Sequence, residues 1–375
     1  MRRALERIEI PGEHEARERA WAVVQAAHAG REPEPRSRTL VRPLLVACAL
    51  AAAVAAALSP PGRAVIEDVR EAIGVESAEP ALFSLPTEGR VLAVSPGTAW
   101  IVHGDGSSRL LGPYRGAAWS PFGRFVVGTT RLQLATLEPD GDKRWSLARR
   151  DVRRATWGGT RTDTRIAYLA GTQLHVVGGD GRGDTALIDA PSLPRSPLAW
   201  QPGRADRLAY VVDDVLRVVS TRARGEEAWS VDVPGPLVSL EWSDDGSRLL
   251  ALSRRQLAVF VPGRAVSRTT LPRGTVGVAA AFEPGSRRIA TVVYSPRLDR
   301  SDLRLGARVL FSGSGRFTGL AWSPDAEWLL VPWRDADQWV FVSTDGSRRI
   351  RAVSRVSAQF DGFPRVEGWI ADEEE

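Results

Sequence analysis

The side chains that carry most protein chemistry are scarce in this chain. It holds four histidines (His14, His28, His103 and His175) and a single cysteine, Cys48. One cysteine excludes an intramolecular disulfide framework and any zinc site built on Cys ligands. The histidines are too scattered for a ligand cluster; His103 and His175 are expected on strands of different repeats, as packing or hydrogen-bonded residues. No G-x-S-x-G elbow, S-x-x-K, H-E-x-x-H, phosphate-binding loop or sialidase-type S-x-D-x-G-x-x-W box occurs. The Asp-Gly pairs at Asp105, Asp140, Asp180, Asp245 and Asp345 read as hairpin turns, because none has the spaced acidic ladder of a calcium loop. The Arg-Gly-Asp string inside Gly178–Asp184 reads as a flexible outer-hairpin turn. No catalytic residue, metal ligand or cofactor-binding residue is assigned. Acid–base pairs could meet only where distant segments converge, and one sequence does not pair them.

The 375 residues carry a formal charge of +5, with 43% hydrophobic and 25% charged residues, an ordinary globular balance. Lys143 is the only lysine and asparagine is absent. That usage is what a GC-rich genome produces, so the arginine excess is read as codon bias rather than as a nucleic-acid surface.

The elements that must position any site come as a repeat. From about residue 81 onward, helical signals give way to short apolar strands separated by Gly, Asp and Pro turns. Aligned on itself, the chain shows an aromatic ending one strand, a tight polar turn, and a second strand opening with Arg. The copies include AAWSPFGRFVV (117–127), LEWSDDGSRLLAL (240–252) and LAWSPDAEWLLV (320–331). The anchoring aromatics are Trp119, Trp157, Trp200, Trp242, Phe282 and Trp322, at spacings of 38, 43, 42, 40 and 40 residues. That period fits one four-stranded propeller blade per repeat. Residues 89–112 match the last three strands of a blade, and residues 364–371, with Trp369 as anchor, supply the missing first strand. The sequence therefore predicts an all-β, seven-bladed β-propeller over 81–375, closed by pairing its two ends, with six blades as the alternative.

The W-S-P-D-G repeat followed by a hydrophobic strand resembles the TolB-type, WD40-like propeller repeat of bacterial exported proteins. Gly158-Gly159, Gln201, Phe282 and Glu283 depart from it. The resemblance implies the fold and leaves the ligand unnamed.

Ahead of the repeats, Leu44–Leu58 is fifteen apolar residues without a charge, bounded by Arg42-Pro43 and Ser59-Pro60-Pro61. As a helix it covers roughly 22 Å, short of the ~30 Å hydrocarbon core, so the flanks decide. Arg36, Arg38 and Arg42 precede it, whereas Arg63 and Arg70 follow among Glu67, Asp68 and Glu71. That bias predicts a single transmembrane helix (44–60), a cytoplasmic N-terminus (1–43) and an extracytoplasmic propeller, joined by a juxtamembrane helix and linker (61–80). A cleavable signal peptide fits poorly, because about forty residues precede the apolar core. A lipobox-like Leu45-Val46-Ala47-Cys48 lies too early in the run to anchor a lipid. Within the α-helical tail, Glu13–Ala29 gathers Ala20, Trp21, Val23, Val24 and Ala27 on one side, and Trp21 and Val24 are the candidate partner-binding anchors.

Together these features predict a non-enzymatic, membrane-anchored binding module for a protein or ligand, a sensor or regulatory scaffold with a cytoplasmic partner. The alternative is a propeller hydrolase or lyase acting on cell-wall glycan or peptide. The topology is testable with alkaline phosphatase fusions in a bacterial host. A fusion after residue 40 is expected to be inactive and one at residue 375 active; the reverse pattern overturns the orientation.

Overall fold

The computed structural model describes residues 84–372, apart from 223, 224 and 234. The tail helix with Trp21 and Val24, the apolar run 44–58 and the helix expected at 63–73 lie outside the described residues. Among the described residues, no helix is long and apolar enough to cross a membrane.

The repeats fold as seven four-stranded antiparallel sheets, the blades of a propeller. Blade 2 is Gly116–Trp119, Val126–Thr129, Gln133–Leu137 and Lys143–Ala148. Blades 3 to 6 open with Val152–Gly159, Ala199–Trp200, Leu237–Trp242 and Val276–Phe282, and blade 7 with Ala321–Trp322. Blade 1 draws its first strand, Arg365–Ile370, from the far end of the chain and its others from Arg90–Ser95, Thr98–Val102 and Ser108–Gly112. Val91 stands opposite Trp369, and Val94 opposite Arg365. Seven sheets replace the six-bladed alternative. First strands of successive blades pack against one another around the axis, while fourth strands form the rim. Arg264–Thr270, the fourth strand of blade 5, is exposed along its whole length.

The seven hydrophobic clusters each fill one junction between neighbouring blades. Trp119 lies in the junction of blades 1 and 2, Trp157 between 2 and 3, and Trp200 between 3 and 4. Trp242, Phe282, Trp322 and Trp369 occupy the remaining four in order. All seven anchors are buried. Two indoles also cross the junction by hydrogen bonding. Trp200 Nε1 donates to the Thr156 carbonyl at 3.2 Å, and Trp242 Nε1 to that of Ala199 at 3.3 Å. Gly158 departs from the repeat because of this packing: a Cβ there would stand 2.2 Å from the Trp200 side chain.

In four blades the side chain next to the anchor closes the turn that follows it. Ser120, Ser243 and Ser323 each accept a backbone N–H from five residues on, at 2.9, 3.0 and 2.9 Å. Ser243 and Ser323 donate in turn to Asp245 and Asp325, both at 2.5 Å. Gly246, at φ +64°, completes the reversal. In blade 6, Glu283 stands in the serine position and pairs with Arg288, Nε to Oε2 at 2.6 Å, so an ion pair replaces the hydroxyl bridge. The expected opening Arg of the second strand stands there in blades 1 and 4, as Arg90 and Arg207, and lies earlier in blades 2, 5 and 6, where Arg124, Arg248 and Arg288 are the last residues of their turns or close to it. From there Arg248 stacks over the next blade's Phe282 at 5.4 Å; Arg90, opening the second strand of blade 1, does the same over Trp119 at 5.3 Å.

The residues just before the anchors are Ala118, Thr156, Ala199, Glu241, Ala281, Ala321 and Gly368, small except for Glu241. Glu241 Oε1 accepts the Phe282 N–H at 3.2 Å. Burial pushes its carboxyl from an ordinary 4.5 up to about 8; Asp244 adds to the rise and the Phe282 amide opposes it.

Two predictions follow from this packing. Ending the chain at Gly362 removes Trp369 from its junction and bares the Arg90–Ser95 edge. Loss of such an anchor costs about 3–5 kcal/mol, before counting the lost strand. Calorimetry should show the cooperative transition of the ring lowered or lost, and an unchanged melting temperature would refute the closure. For Glu241, the folded state holds a proton that the unfolded chain has lost between pH 4.5 and 8, so its effect on stability worsens as pH rises through that window. Glu241→Gln, which keeps the acceptor, should melt near the wild-type temperature at pH 4.5 and progressively above it toward pH 8. A gap that narrows with rising pH contradicts the assignment.

Candidate functional site

The blades present two faces. The entry face is where first strands begin, and it carries the loops from second to third strand and from one blade to the next. The exit face carries the anchor turns and the outer hairpin turns. Among the described residues, a cluster of titratable side chains stands away from both faces, on the outer rim. Tyr168 on the second strand of blade 3 (Thr164–Ala170) donates from its hydroxyl to Asp184 Oδ1 at 2.7 Å. Arg149, at the end of the rim strand of blade 2, donates from Nε to Asp184 Oδ2 at 3.0 Å. His175 stacks on Tyr168 at 5.2 Å, with Nδ1 3.4 Å from Asp184.

This cluster joins two blades and offers no reacting group. Burial, then the Asp184 carboxylate, holds the Tyr168 phenol far above its usual range, so it stays protonated and is no base. Asp184 is committed to both partners, and its hydrogen bonds hold the Arg149 guanidinium above its usual range. His175 Nε2 faces Gln173 Oε1 at 3.3 Å, where no nucleophile stands. Asp184 thereby corrects the reading of Arg182-Gly183-Asp184 as a flexible turn: its side chain is only 8% exposed and is tied to the neighbouring blade. The tip of that hairpin is Gly178–Arg182. His103 is also corrected, since it falls in the turn after the third strand of blade 1, bonded through its N–H to the Ser107 carbonyl at 2.9 Å. His175 lies on a strand as expected. The Asp-Gly pairs form turns with glycine at positive φ, among them Gly106, Gly141 and Gly346. Among the described residues, no three His, Cys, Asp or Glu side chains are placed to hold a metal ion.

The entry face is different in character. Two clefts open on it. One, of about 600 Å³, is lined by Pro236, Ser253, Arg254, Arg255, Gln256 and Thr270 in blade 5. The other, of about 520 Å³, lies across blades 7, 1 and 2, among Ser95, Gly97, Arg115, Thr318, Arg334, Phe363 and Arg365. Arginines line both, and no carboxylate does. Arg115, Arg254, Arg255 and Arg334 form no side-chain ion pair among the described residues. On the exit face some arginines are ion-paired, as in Arg144–Glu138 at 3.0 Å, Arg165–Asp163 at 3.4 Å and Arg349–Asp345 at 2.9 Å. The two most exposed large apolar side chains among the described residues, Leu132 at 68% and Leu298 at 71%, also stand on entry-face loops.

One further arginine of a first strand is held on irregular backbone. The first strand of blade 3 is bulged between Arg153 and Thr156, and Arg154 there has φ +51°. A left-handed arginine costs about 1 kcal/mol or more, and bulges of this kind re-aim a side chain. Arg154 Nε donates to the Pro194 carbonyl at 3.3 Å. Desolvation, then repulsion from Arg153 and Arg365, lowers its pKa, and Glu367 offsets this in part. Blades 1 and 3 are not neighbours, so Arg154 and Arg365 sense each other across the mouth of the channel.

The anchors singled out from sequence thus lie together in the wall of the ring, and the arginine-lined clefts were missed. Their residues sit in loops outside the repeat, in a chain where arginine is common everywhere. No protein-family model matches the chain, and no curated protein does. Solved structures match by shape. A chain of a structure titled Crystal Structure of Mitotic Checkpoint Complex aligns with a TM-score of 0.54 at 14% identity, covering 82% of this chain and 94% of the other. A chain of Kuenenia stuttgartiensis hydrazine synthase aligns at 0.50 and 15% identity over 61% of this chain and 76% of its own. The β-propeller domain of Cps50 (Swd1) from Myceliophteria thermophila aligns at 0.48 and 14% over 73% and 99%. At such identities the likeness concerns shape alone: the chain has a WD40-like, seven-bladed β-propeller fold.

Proposed function

We propose that the chain is a non-enzymatic binding module whose entry face takes a protein partner. The observation that carries this reading is the entry face itself. It combines two arginine-lined clefts, in which Arg115, Arg254, Arg255 and Arg334 have no carboxylate partner among the described residues, with the two most exposed leucines of those residues. Arginine beside exposed apolar side chains is the composition of interface centres, where a few such residues supply most of the binding energy. The ring beneath is suited to the role, since its core is closed by its own anchors and the loops need not hold it together.

The same reading places the propeller outside the cytoplasm of a bacterium, as a TolB-like protein held by the 44–60 helix. A cytoplasmic partner docks on the tail through Trp21 and Val24, making the whole a sensor or regulatory scaffold. The arginine bias ahead of the apolar run supports that arrangement. A photo-crosslinking amino acid placed at Leu132 or Leu298 in living cells should give one shared protein adduct. The same group at Phe122, on an exit-face turn, should not give it. Adducts from Phe122 alone would move the interface to the other face, and turnover of cell-wall fragments by the purified protein would replace binding with catalysis.

A further inference from the structure

We propose that the cleft across blades 7, 1 and 2 is a binding site for an acidic peptide segment, whose carboxylates pair with Arg115, Arg334 and Arg365 while an apolar side chain rests on Phe363. The inference rests on the entry-face reading above and narrows it to one cleft and one ligand chemistry.

The three arginines reach the cleft from different parts of the ring. Arg115 sits in the loop entering blade 2, Arg334 between the second and third strands of blade 7, and Arg365 opens the first strand of blade 1. Arg115 and Arg334 are exposed and have no carboxylate partner among the described residues. Arg365 is held in place by the Arg115 carbonyl at 3.2 Å and by Glu367 at 3.0 Å. Glu367 neutralises Arg365, whereas the carboxylates that follow Arg334 in sequence are bound elsewhere. Asp335 accepts the Arg316 N–H at 2.8 Å, and Asp337 accepts from Ser357 N and Oγ at 2.8 and 2.6 Å. Arg154 adds further positive charge across the channel mouth. The result is an under-neutralised cluster with an aromatic wall.

The spread of charge favours a chain over a small ion. The three arginines come from three blades around a volume of about 520 Å³, several times what a single phosphate fills. Several carboxylates spaced along an extended peptide match that layout, and Arg forms bidentate pairs with each. Lying across the blade that joins the two ends of the chain, such a ligand also contacts both halves of the closure. It binds the closed ring only, so it should raise the melting temperature.

The test uses the full chain in mild detergent and a fluorescein-labelled decapeptide of Asp and Glu with one central Phe. A peptide with Lys in the acidic positions serves as control. Anisotropy at low salt should show binding of the acidic peptide alone, weakening as salt rises. The double variant R115A/R334A removes side chains that hold nothing in the fold, so it should melt as wild type without peptide. It should bind about tenfold more weakly and lose the peptide-induced rise in melting temperature. R254A/R255A in the other cleft should bind as wild type. The proposal is overturned if R115A/R334A binds normally, or if inorganic phosphate displaces the peptide at matching concentration, which would mark a small-anion site. Loss of binding in R254A/R255A alone would sink this site while leaving the entry-face reading intact. Absence of peptide binding beside positive crosslinks at Leu132 and Leu298 would do the same.

Discussion

Everything in this fold depends on filling the wedge between blades. Seven twisted sheets set around an axis splay apart toward the rim, and each junction must be filled to native density or lose its dispersion contacts. One aromatic per junction, at the end of each first strand, does much of the filling. The residue before it must be small, because the first strands converge there. Six positions obey this with Ala, Thr or Gly. The seventh, Glu241, breaks the rule beside the one junction whose anchor is Phe rather than Trp. The Glu241 carboxyl reaches across to that junction and accepts the Phe282 backbone N–H. The two departures are therefore joined by one hydrogen bond.

Closure follows from the same constraint. A ring of blades has no free inner edge only if the last junction is filled as well as the others. Sharing blade 1 between the chain's ends does this, with Trp369 buried against blade 7 and Arg90 stacked on Trp119 at the next junction. Arg90 is also bonded to Gly123 O at 3.3 Å and to Asp372 at 3.3 Å. A residue from the start of the propeller thus fixes its last described one.

How much of this could be read beforehand depends on what repeats. The blade count, the anchors and the shared closure were legible because packing imposes one solution seven times. Even the departures at Gly158 and Glu283 have local causes, a close indole in one case and an ion-paired turn in the other. Arg182-Gly183-Asp184 was misread because its meaning lies in Arg149, a residue of another blade thirty-five positions away. The bulge at Arg154 left no mark in the sequence either, since a left-handed arginine looks like any other arginine.

The division between the two faces explains why the site was harder to see than the fold. Exit-face turns carry the repeat, and they use their polar groups internally. Ser243 and Ser323 close their own turns, Asp245 and Asp345 are held well below the usual carboxylate range by local hydroxyl and amide donors, and Glu283 neutralises Arg288. Entry-face loops carry no repeat, and packing asks little of them beyond joining strands. Their side chains are therefore free to stay unpaired, at little cost while water solvates them. Unpaired guanidiniums around a cleft gain most when a partner brings carboxylates and excludes that water. At Arg115, Arg254, Arg255 and Arg334 the ring makes no such use of the side chain, which leaves four guanidiniums on one face available for binding.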